Sequence, residues 1–535
     1  MKILDCLFIG HNEIDMSRQR KILRLSYGED SHMYRETNMS QLGYINYQNR
    51  LMSSSQVFNM INAEEKIVDD SYEDMGMMET FSLAIAYLGT NVHKSGFSID
   101  FVNDFNAGKE YLINVFNNYQ VRTVIIPTTY YVFPSPILDI KAFIRKHSKT
   151  AKIIIGGPYI SNRIRSLNET ELQKMFKTID ADIYIYSSEG EYTLSMVIEA
   201  IKNDEPLEKI HNIYYKVEEN FVYTGYLPEN IDIESNGVNW DLFANRVGKF
   251  VNLRTSLSCP YSCEFCNYPI YAGPYRKLSI EKIEEEMIKV ERLNKVTGMW
   301  IIDDTLNVSK SRFKEILNMM LKNKFSFKWH SFLRCQYLDE ETASLMKESG
   351  CDHVLLGIES GSQKILENMN KQVKVEKYIN GINLLNQYEI ASTASLIVGF
   401  PGETDETFKE TFQFIEECKP TFFRSHMWYY DHTAPIGQQR EKYQLEGEGL
   451  DWSHTTMDSD RAYTLNNKLF FEIKNSIYET ECPIPFHLLN RGIKIEKVKK
   501  FLMNFNNCVK EKLISGAETE TNAEMFEKMR YALLD

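Results

Sequence analysis

Phe250-Val251-Asn252-Leu253-Arg254-Thr255-Ser256-Leu257-Ser258-Cys259-Pro260-Tyr261-Ser262-Cys263-Glu264-Phe265-Cys266 runs from a strand-like segment straight into three cysteines spaced C-x₃-C-x₂-C. Three thiolates on so short a loop can hold three irons of a [4Fe–4S] cluster and leave the fourth open to a reactant, whereas a closed four-cysteine cluster mainly passes electrons. Zinc is the rival occupant. A structural zinc site takes four ligands, usually as two close pairs, and no Cys or His follows Cys266 until His330. A disulfide knot fits poorly, because the other six cysteines (Cys6, Cys335, Cys351, Cys418, Cys482, Cys508) are scattered and the total of 9 is odd.

Downstream of this loop, apolar runs alternate with amphipathic helices. Strands are predicted at 250–257, 298–303, 326–333, 352–358, 391–398 and 421–428. The clearest helix is Ser279–Val296, which Ser279 can cap and whose early glutamates (Glu281, Glu284, Glu285, Glu286) suit the positive end of its dipole. Six β/α units suggest a barrel or part of one, in which chemistry gathers at the C-terminal ends of the strands. The cysteines follow the first strand directly, so topology and metal site agree.

Upstream, the first part of the chain reads as an open, doubly wound α/β sheet with strands at Leu4–Gly10, Phe97–Val102, Val121–Pro127, Ala151–Ile155 and Ile183–Tyr186. Helices are predicted at Met77–Ser95, 109–119 and Ser135–His147. Ligands on such sheets sit outside the carboxyl ends of the strands, where the turns at Thr128-Thr129-Tyr130, Gly156-Gly157-Pro158 and Glu189-Gly190-Glu191 fall. The expected organisation is a sheet domain at 1–205 with a polar insertion at 12–75, then a connector at 206–248 carrying a hairpin (Ile213–Val217, Phe221–Thr224). A barrel at 249–430 and a mostly helical C-terminal domain at 431–535 follow.

Bulk properties narrow the function classes. A net charge of −13 over 535 residues argues against a nucleic-acid partner, which needs a basic face. No apolar run approaches the ~20 residues of a membrane helix. Met1-Lys2-Ile3-Leu4-Asp5 runs straight into a strand rather than a secretory signal. A reducing cytoplasm, where an oxygen-sensitive cluster survives, is the expected location.

Cys259, Cys263 and Cys266, with Phe265 before the last, resemble the signature of the radical S-adenosylmethionine (SAM) enzymes. The resemblance implies that the open iron chelates SAM and that reduced cluster cleaves it to a 5′-deoxyadenosyl radical, with electrons from an external low-potential donor. Gly357-Ile358-Glu359-Ser360-Gly361 and Gly399-Phe400-Pro401-Gly402-Glu403-Thr404 are similar to SAM-positioning segments of that superfamily. Glu359 and Ser360, Gly399 and Glu403, Asp304 after the second strand and Arg334 after the third are thereby candidate SAM-binding residues, Arg334 as the partner of the SAM carboxylate.

The upstream sheet resembles the cobalamin-binding domain that precedes the barrel in one large subgroup. On that likeness His11, Thr128, Thr129, Tyr130, Gly156, Gly157, Pro158, Glu189, Gly190 and Glu191 are candidate cobalamin contacts. His11 lies in the loop after the first strand, but the D-x-H-x-x-G segment that supplies a lower cobalt ligand in many such proteins is absent, so cobalt without a protein histidine is the expectation. More narrowly, the opening Asp5–Glu13, the insertion and Asp451-Trp452-Ser453-His454 look like the PhpK group of cobalamin-dependent radical SAM P-methyltransferases. This implies methyl transfer to an unactivated P–H or C–H centre of a small molecule. Cyclisation without methyl transfer, or a non-catalytic cobalamin-responsive protein, are the alternatives. His426, Trp428, Tyr430, His432, Trp452 and His454 are candidate substrate walls, with plain interdomain core as the other reading.

Overall fold

The computed structural model describes residues 2–28, 34, 40–68, 74–76, 79–516 and 519–534. Two compact units emerge: Met1–Asp15 with Thr80–Asn252 and Glu285–Asn294, and Met16–Glu79 with Leu253–Glu284 and Lys295–Asp535. Each contains a seven-stranded sheet.

The first unit is built on β1 (Lys2–His11), whose last eight residues are all buried because parallel strands cover both of its edges. β2 (Ile99–Asp104) pairs on one side. On the other follow β3 (Tyr119–Pro127), β4 (Lys152–Gly156) and β5 (Ile183–Ile185), all parallel. The order 2-1-3-4-5 is that of a doubly wound sheet whose switch point lies at the carboxyl ends of β1 and β3. The hairpin β6 (Ile213–Val217) and β7 (Asn220–Tyr223) continues the same sheet antiparallel, so part of the expected connector belongs to this unit. Helices cover the faces, including Leu83–Lys94, Lys109–Asn118 and Ser135–His147. Ser82 caps the first of these, which starts later than the expected Met77–Ser95; Met77 and Met78 lie outside the described residues.

The second unit carries the partial barrel. Its strands run in chain order across one sheet: β8 (Phe250–Leu253), β9 (Gly298–Ile301), β10 (Lys328–Leu333), β11 (Cys351–Glu359), β12 (Ala391–Val398), β13 (Phe422–Met427) and β14 (Ile477–Tyr478). The pairings from β9 to β14 are parallel. The predicted 250–257 strand is two pieces. After β8 the chain breaks, and Ser256–Leu257 pairs instead with Arg276–Lys277 as a short ribbon that frames the cysteine loop. Ser279 Oγ accepts from Lys282 N at the head of the helix Ile280–Glu291, as its capping role required.

One departure from the expected organisation concerns this unit. The polar insertion is not part of the first unit: Met16–Glu79 belongs with the C-terminal segment. Glu481 explains part of this, because its carboxylate accepts from Ser55 N, Ser55 Oγ and Ser54 Oγ at 2.7–3.0 Å. Arg530 pairs with Glu64 and Glu65, and Glu79 with Arg491 and His487. The C-terminal segment is mostly helical, as expected, with a few short strands added. Glu446–Glu448, Asp451–His454 and Met457–Asp458 form a three-stranded sheet, and β14 extends the barrel.

Candidate functional site

The cysteine loop begins where β8 ends, and a buried carboxylate fixes that end. Asp303, just past β9, accepts from Thr255 N and Oγ1 and from Ser256 N and Oγ at 2.5–3.2 Å. Four donors on one carboxylate offset its burial and lock the chain's exit direction. Asp303 is therefore a brace. Asp304 is the residue that opens outward beside the cysteines; burial, then the charge of Asp303, pushes its carboxyl up to about 7.

All three cysteines are free thiols. Cys266 N donates to Cys263 O at 3.1 Å, and Glu264 N donates to Met369 O, so the loop is pinned to the segment following β11. Burial pushes the thiol of Cys259 up and that of Cys266 up to about 11, so metal must displace protons to bind. Among the described residues no three His, Cys, Asp or Glu side chains converge on a single metal-ion position. A [4Fe–4S] cluster does not need that, since it takes one thiolate on each of three irons. The donor set fits a cluster better than a zinc ion, which requires four convergent ligands.

Arg334, 5% exposed at the end of β10, joins the loop to the barrel. Its Nη2 donates to Cys263 Sγ at 3.2 Å and its Nη1 to Lys371 O at 3.0 Å, while its guanidinium stacks 3.5 Å over the Tyr261 ring. Asn307 holds its backbone from both sides. Two of its five guanidinium N–H groups are used in this way, which ties Arg334 to the cysteine loop.

Glu359 ends β11 in a left-handed conformation (φ 64°) after a register shift at Gly357. A non-glycine residue held there is strained, and such strain collects at functional sites. Its carboxylate meets Lys371 Nζ at 3.2 Å, and the two side chains are 12% and 4% exposed. Lys371 also stands 5.8 Å from the Phe265 ring, which in turn packs edge-on against Phe400 at 6.5 Å. Cys263, Phe265, Arg334 and Glu359 are thus brought together at the carboxyl ends of the strands. Tyr261, at a variable position inside the cysteine motif, joins them, as does Lys371, which no sequence motif marks.

Other candidates face elsewhere. Ser360 Oγ bonds Thr411 Oγ1 in the helix Asp405–Cys418 at 3.0 Å. Glu403, 1% exposed, accepts from Gly399 N and closes its own turn, and burial pushes its carboxyl up to about 8. Gly399 (φ 91°) is required because a Cβ there would stand 2.5 Å from the Trp452 ring. Trp428, Tyr430, Trp452 and His454 form one buried aromatic cluster, with Trp452 stacked on His454 at 5.2 Å. Trp452 Nε1 donates to Trp428 O, and His454 Nε2 bonds Gly399 O. These four behave as core rather than as pocket walls, and His432 lies on the surface. His426 lines a cavity.

In the first unit, Thr128 Oγ1 donates to Gly156 O at 2.8 Å, tying the β3 turn to the β4 turn. A Cβ on Gly157 (φ 106°) would stand 3.0 Å from Thr128 N, so that turn admits only glycine without strain. Gly190 (φ 87°) starts the helix Glu191–Asn203 as Pro158 starts Pro158–Ser166. Glu189 accepts from Ile231 N and Glu191 from Asn236 Nδ2, so both are structural anchors. Thr129 is exposed beside Tyr130, whose hydroxyl accepts from Asn252. His11 lies at the switch point, 8% exposed, near the rings of Tyr130 and Tyr131, with both ring nitrogens lacking a hydrogen-bond partner. Burial pushes its pKa down to about 4, which keeps it neutral. Glycine turns, exposed hydroxyls and an unsatisfied buried imidazole fit the edge of a large, mostly neutral ligand.

Comparison with known proteins agrees with this geometry. Residues 253–415 match the radical SAM superfamily. An uncharacterized methyltransferase of Pyrococcus horikoshii is 27% identical over 275 residues, which cover 50% of this chain and 58% of that protein, so little more than half of that relative is spanned. Among solved structures, the radical SAM methyltransferase TsrM of Kitasatospora setae, with cobalamin and a [4Fe–4S] cluster bound, aligns with a TM-score of 0.54 at 16% identity. That alignment covers 68% of this chain and 72% of that one. The cobalamin-dependent SAM radical enzyme OxsB, with aqua-cobalamin and SAM bound, aligns with a TM-score of 0.59 at 12% identity over 97% of this chain and 98% of that one. The fold, sheet and barrel together, is shared with these enzymes. The matched segment, residues 253–415, carries the three cysteines, Arg334, Glu359 and Glu403, and is a radical SAM domain.

Proposed function

We propose that this protein is a cobalamin-dependent radical SAM methyltransferase that methylates a P–H or C–H centre of a small biosynthetic intermediate, a phosphinate in particular. The observation that carries the reading is the order of parts. A 2-1-3-4-5 sheet with glycine turns at its switch edge precedes a barrel whose first strand delivers three free cysteines to the mouth. When bound, cluster and SAM supply a hydrogen-abstracting radical, and cobalamin supplies a transferable methyl group.

The chain's own residues would then do the holding and orienting. Cys259, Cys263 and Cys266 are the cluster ligands. Arg334 donates to Cys263 Sγ and fixes the loop through Lys371 O and Tyr261. Glu359, oriented by Lys371, presents carboxylate oxygen to hydroxyl or ammonium groups of SAM. Asp304 bounds the same cleft. In the first unit the Thr128, Gly157 and Gly190 turns offer backbone and hydroxyl edges to cobalamin, and neutral His11 packs rather than carrying charge.

The test is anaerobic reconstitution with iron, sulfide and cobalamin, followed by mass spectrometry of turnover with SAM and a panel of phosphinates. A P-methylated product with both S-adenosylhomocysteine and 5′-deoxyadenosine is the expected result. 5′-Deoxyadenosine with a modified but unmethylated product would replace methyl transfer by cyclisation or rearrangement. Absence of SAM cleavage would overturn the enzymatic reading.

A further inference from the structure

The inner face of the barrel carries a polar group that neither the cluster nor SAM uses. Gly357 of β11, Ser395 of β12 and Arg424 of β13 are successive Cα partners across parallel strands and so point to one face. His426, two residues beyond Arg424, shares that face and partners Ile397. A Cβ on Gly357 would stand 2.7 Å from Glu359 Oε1 and 3.5 Å from Lys371 Nζ. Arg424 and His426 are therefore on the face of the sheet that meets the SAM-side ion pair.

A cavity of about 400 Å³ opens there, lined by Arg424, His426, Tyr429, Tyr478, Glu479 and Cys482 among others. That volume suits a small metabolite. Arg424 Nε donates to His426 Nε2 at 2.9 Å, which leaves the imidazole proton on Nδ1 as a donor. Burial and the charge of Arg424 push the His426 pKa down to about 3, so the ring stays neutral. The acidic side chains facing Arg424 are Cys482, which also hydrogen-bonds it, Glu479 and Tyr478. Burial pushes the Cys482 thiol up to about 12 and the Glu479 carboxyl up to about 7, and Tyr478 also rises. Among the described residues Arg424 forms no salt bridge, and both Glu479 oxygens are buried without a hydrogen-bond partner. A guanidinium facing a half-open cavity with no salt-bridge partner among the described residues can take an anion from outside the chain.

We propose that Arg424 and His426 form an oxyanion-recognition site for the substrate, selecting small molecules with a two-oxygen monoanionic head, phosphinate or carboxylate, over dianions and neutral esters. This rests on reading the barrel as the substrate-binding part of a radical SAM enzyme. The planar fork of Arg424 matches two geminal oxygens, and the His426 Nδ1 proton adds a donor. One guanidinium matches one negative charge, so a dianion leaves its second charge unpaired in the cavity. Both residues are recognition groups, since neither touches the cluster loop.

The test is equilibrium titration of the reconstituted full-length protein with phenylphosphinate, benzoate, phenylphosphonate dianion and methyl benzoate, read by calorimetry. At least one monoanion is expected to bind, the dianion at least about tenfold more weakly, and the ester not detectably. Whichever monoanion binds more tightly identifies the head group. Arg424→Gln should weaken monoanion binding at least about tenfold, Arg424→Lys should recover part of it, and SAM affinity should be unchanged in both. His426→Gln, which keeps a donor, should weaken it less and covers the case in which the Arg424 variants fail to fold. Equal binding of ester and anion, no binding of either monoanion, or unchanged anion affinity in Arg424→Gln overturns the proposal. Because binding is read without turnover, anion recognition that persists without methyl transfer would contradict the proposed reaction alone.

Discussion

The mouth of the barrel and the carboxyl edge of the N-terminal sheet hold their ligands by different physics. At the barrel mouth, side-chain charge is spent on the site itself: Arg334 on Cys263, Lys371 on Glu359, Arg424 on His426. At the sheet edge the polar side chains are spent on the protein, Thr128 on Gly156 O, Glu189 on Ile231 N and Glu191 on Asn236. What remains for a ligand there is backbone, glycine space and one neutral histidine. A small charged cosubstrate needs the first kind of site, whereas a large neutral ring system with an extended tail is served by the second.

The largest effect is expected at the cysteine loop. Cys263→Ala should abolish SAM cleavage and lower the iron retained on reconstitution; cleavage that survived would remove the cluster from the account. Next comes the buried pair. Lys371→Met leaves Glu359 without its cation, and breaking such a pair costs roughly 3–5 kcal/mol. Denaturant unfolding should show that loss and SAM titration a weaker affinity, with Lys371→Arg recovering part of both. Unchanged stability would mean that Glu359 is solvated in solution.

At the sheet edge the expected effects are conformational. Gly157→Ala forces a side chain into φ 106° against Thr128 N, costing on the order of 1–3 kcal/mol. It should release cobalamin on gel filtration while SAM affinity stays constant. Loss of both would contradict the division of labour.

The smallest effect concerns pH. Burial raises the Glu403 carboxyl from 4.5 to about 8 in the folded protein. Folded protein therefore binds more protons there than unfolded protein, so the contribution is present in full below pH 4.5 and is lost as pH rises through 8. Wild type should lose stability relative to Glu403→Gln over that window, in chemical unfolding at successive pH values. A gap independent of pH would show that Glu403 titrates normally.

Much of this was legible in the sequence because it was local. The C-x₃-C-x₂-C loop, the strand ends at Glu359 and Gly399 and the turns at Thr128, Gly157 and Gly190 are all written in contiguous residues. Long-range choices were not. Lys371 reaches Glu359 only because the chain returns after β11, and no spacing encodes that. Arg424 did carry a signal: in Phe422-Phe423-Arg424-Ser425-His426-Met427 the period-2 alternation sets Arg424 and His426 on one face, although only the histidine was singled out. The aromatic run near Trp428 reads equally as pocket or core, and packing against Trp452 decided for core. The insertion was assigned by proximity in sequence. Its partner Glu481 lies 426 residues beyond Ser55, which only the folded chain reveals.

The central claim is that Cys259, Cys263 and Cys266 hold a cluster with an open iron that SAM can bind. Electron paramagnetic resonance of the anaerobically reconstituted, dithionite-reduced protein tests it without any substrate. The account predicts a reduced [4Fe–4S] signal whose g-values change when SAM is added and which is lost in Cys263→Ala. A signal indifferent to SAM, or a protein that takes up zinc and no cluster, would contradict it.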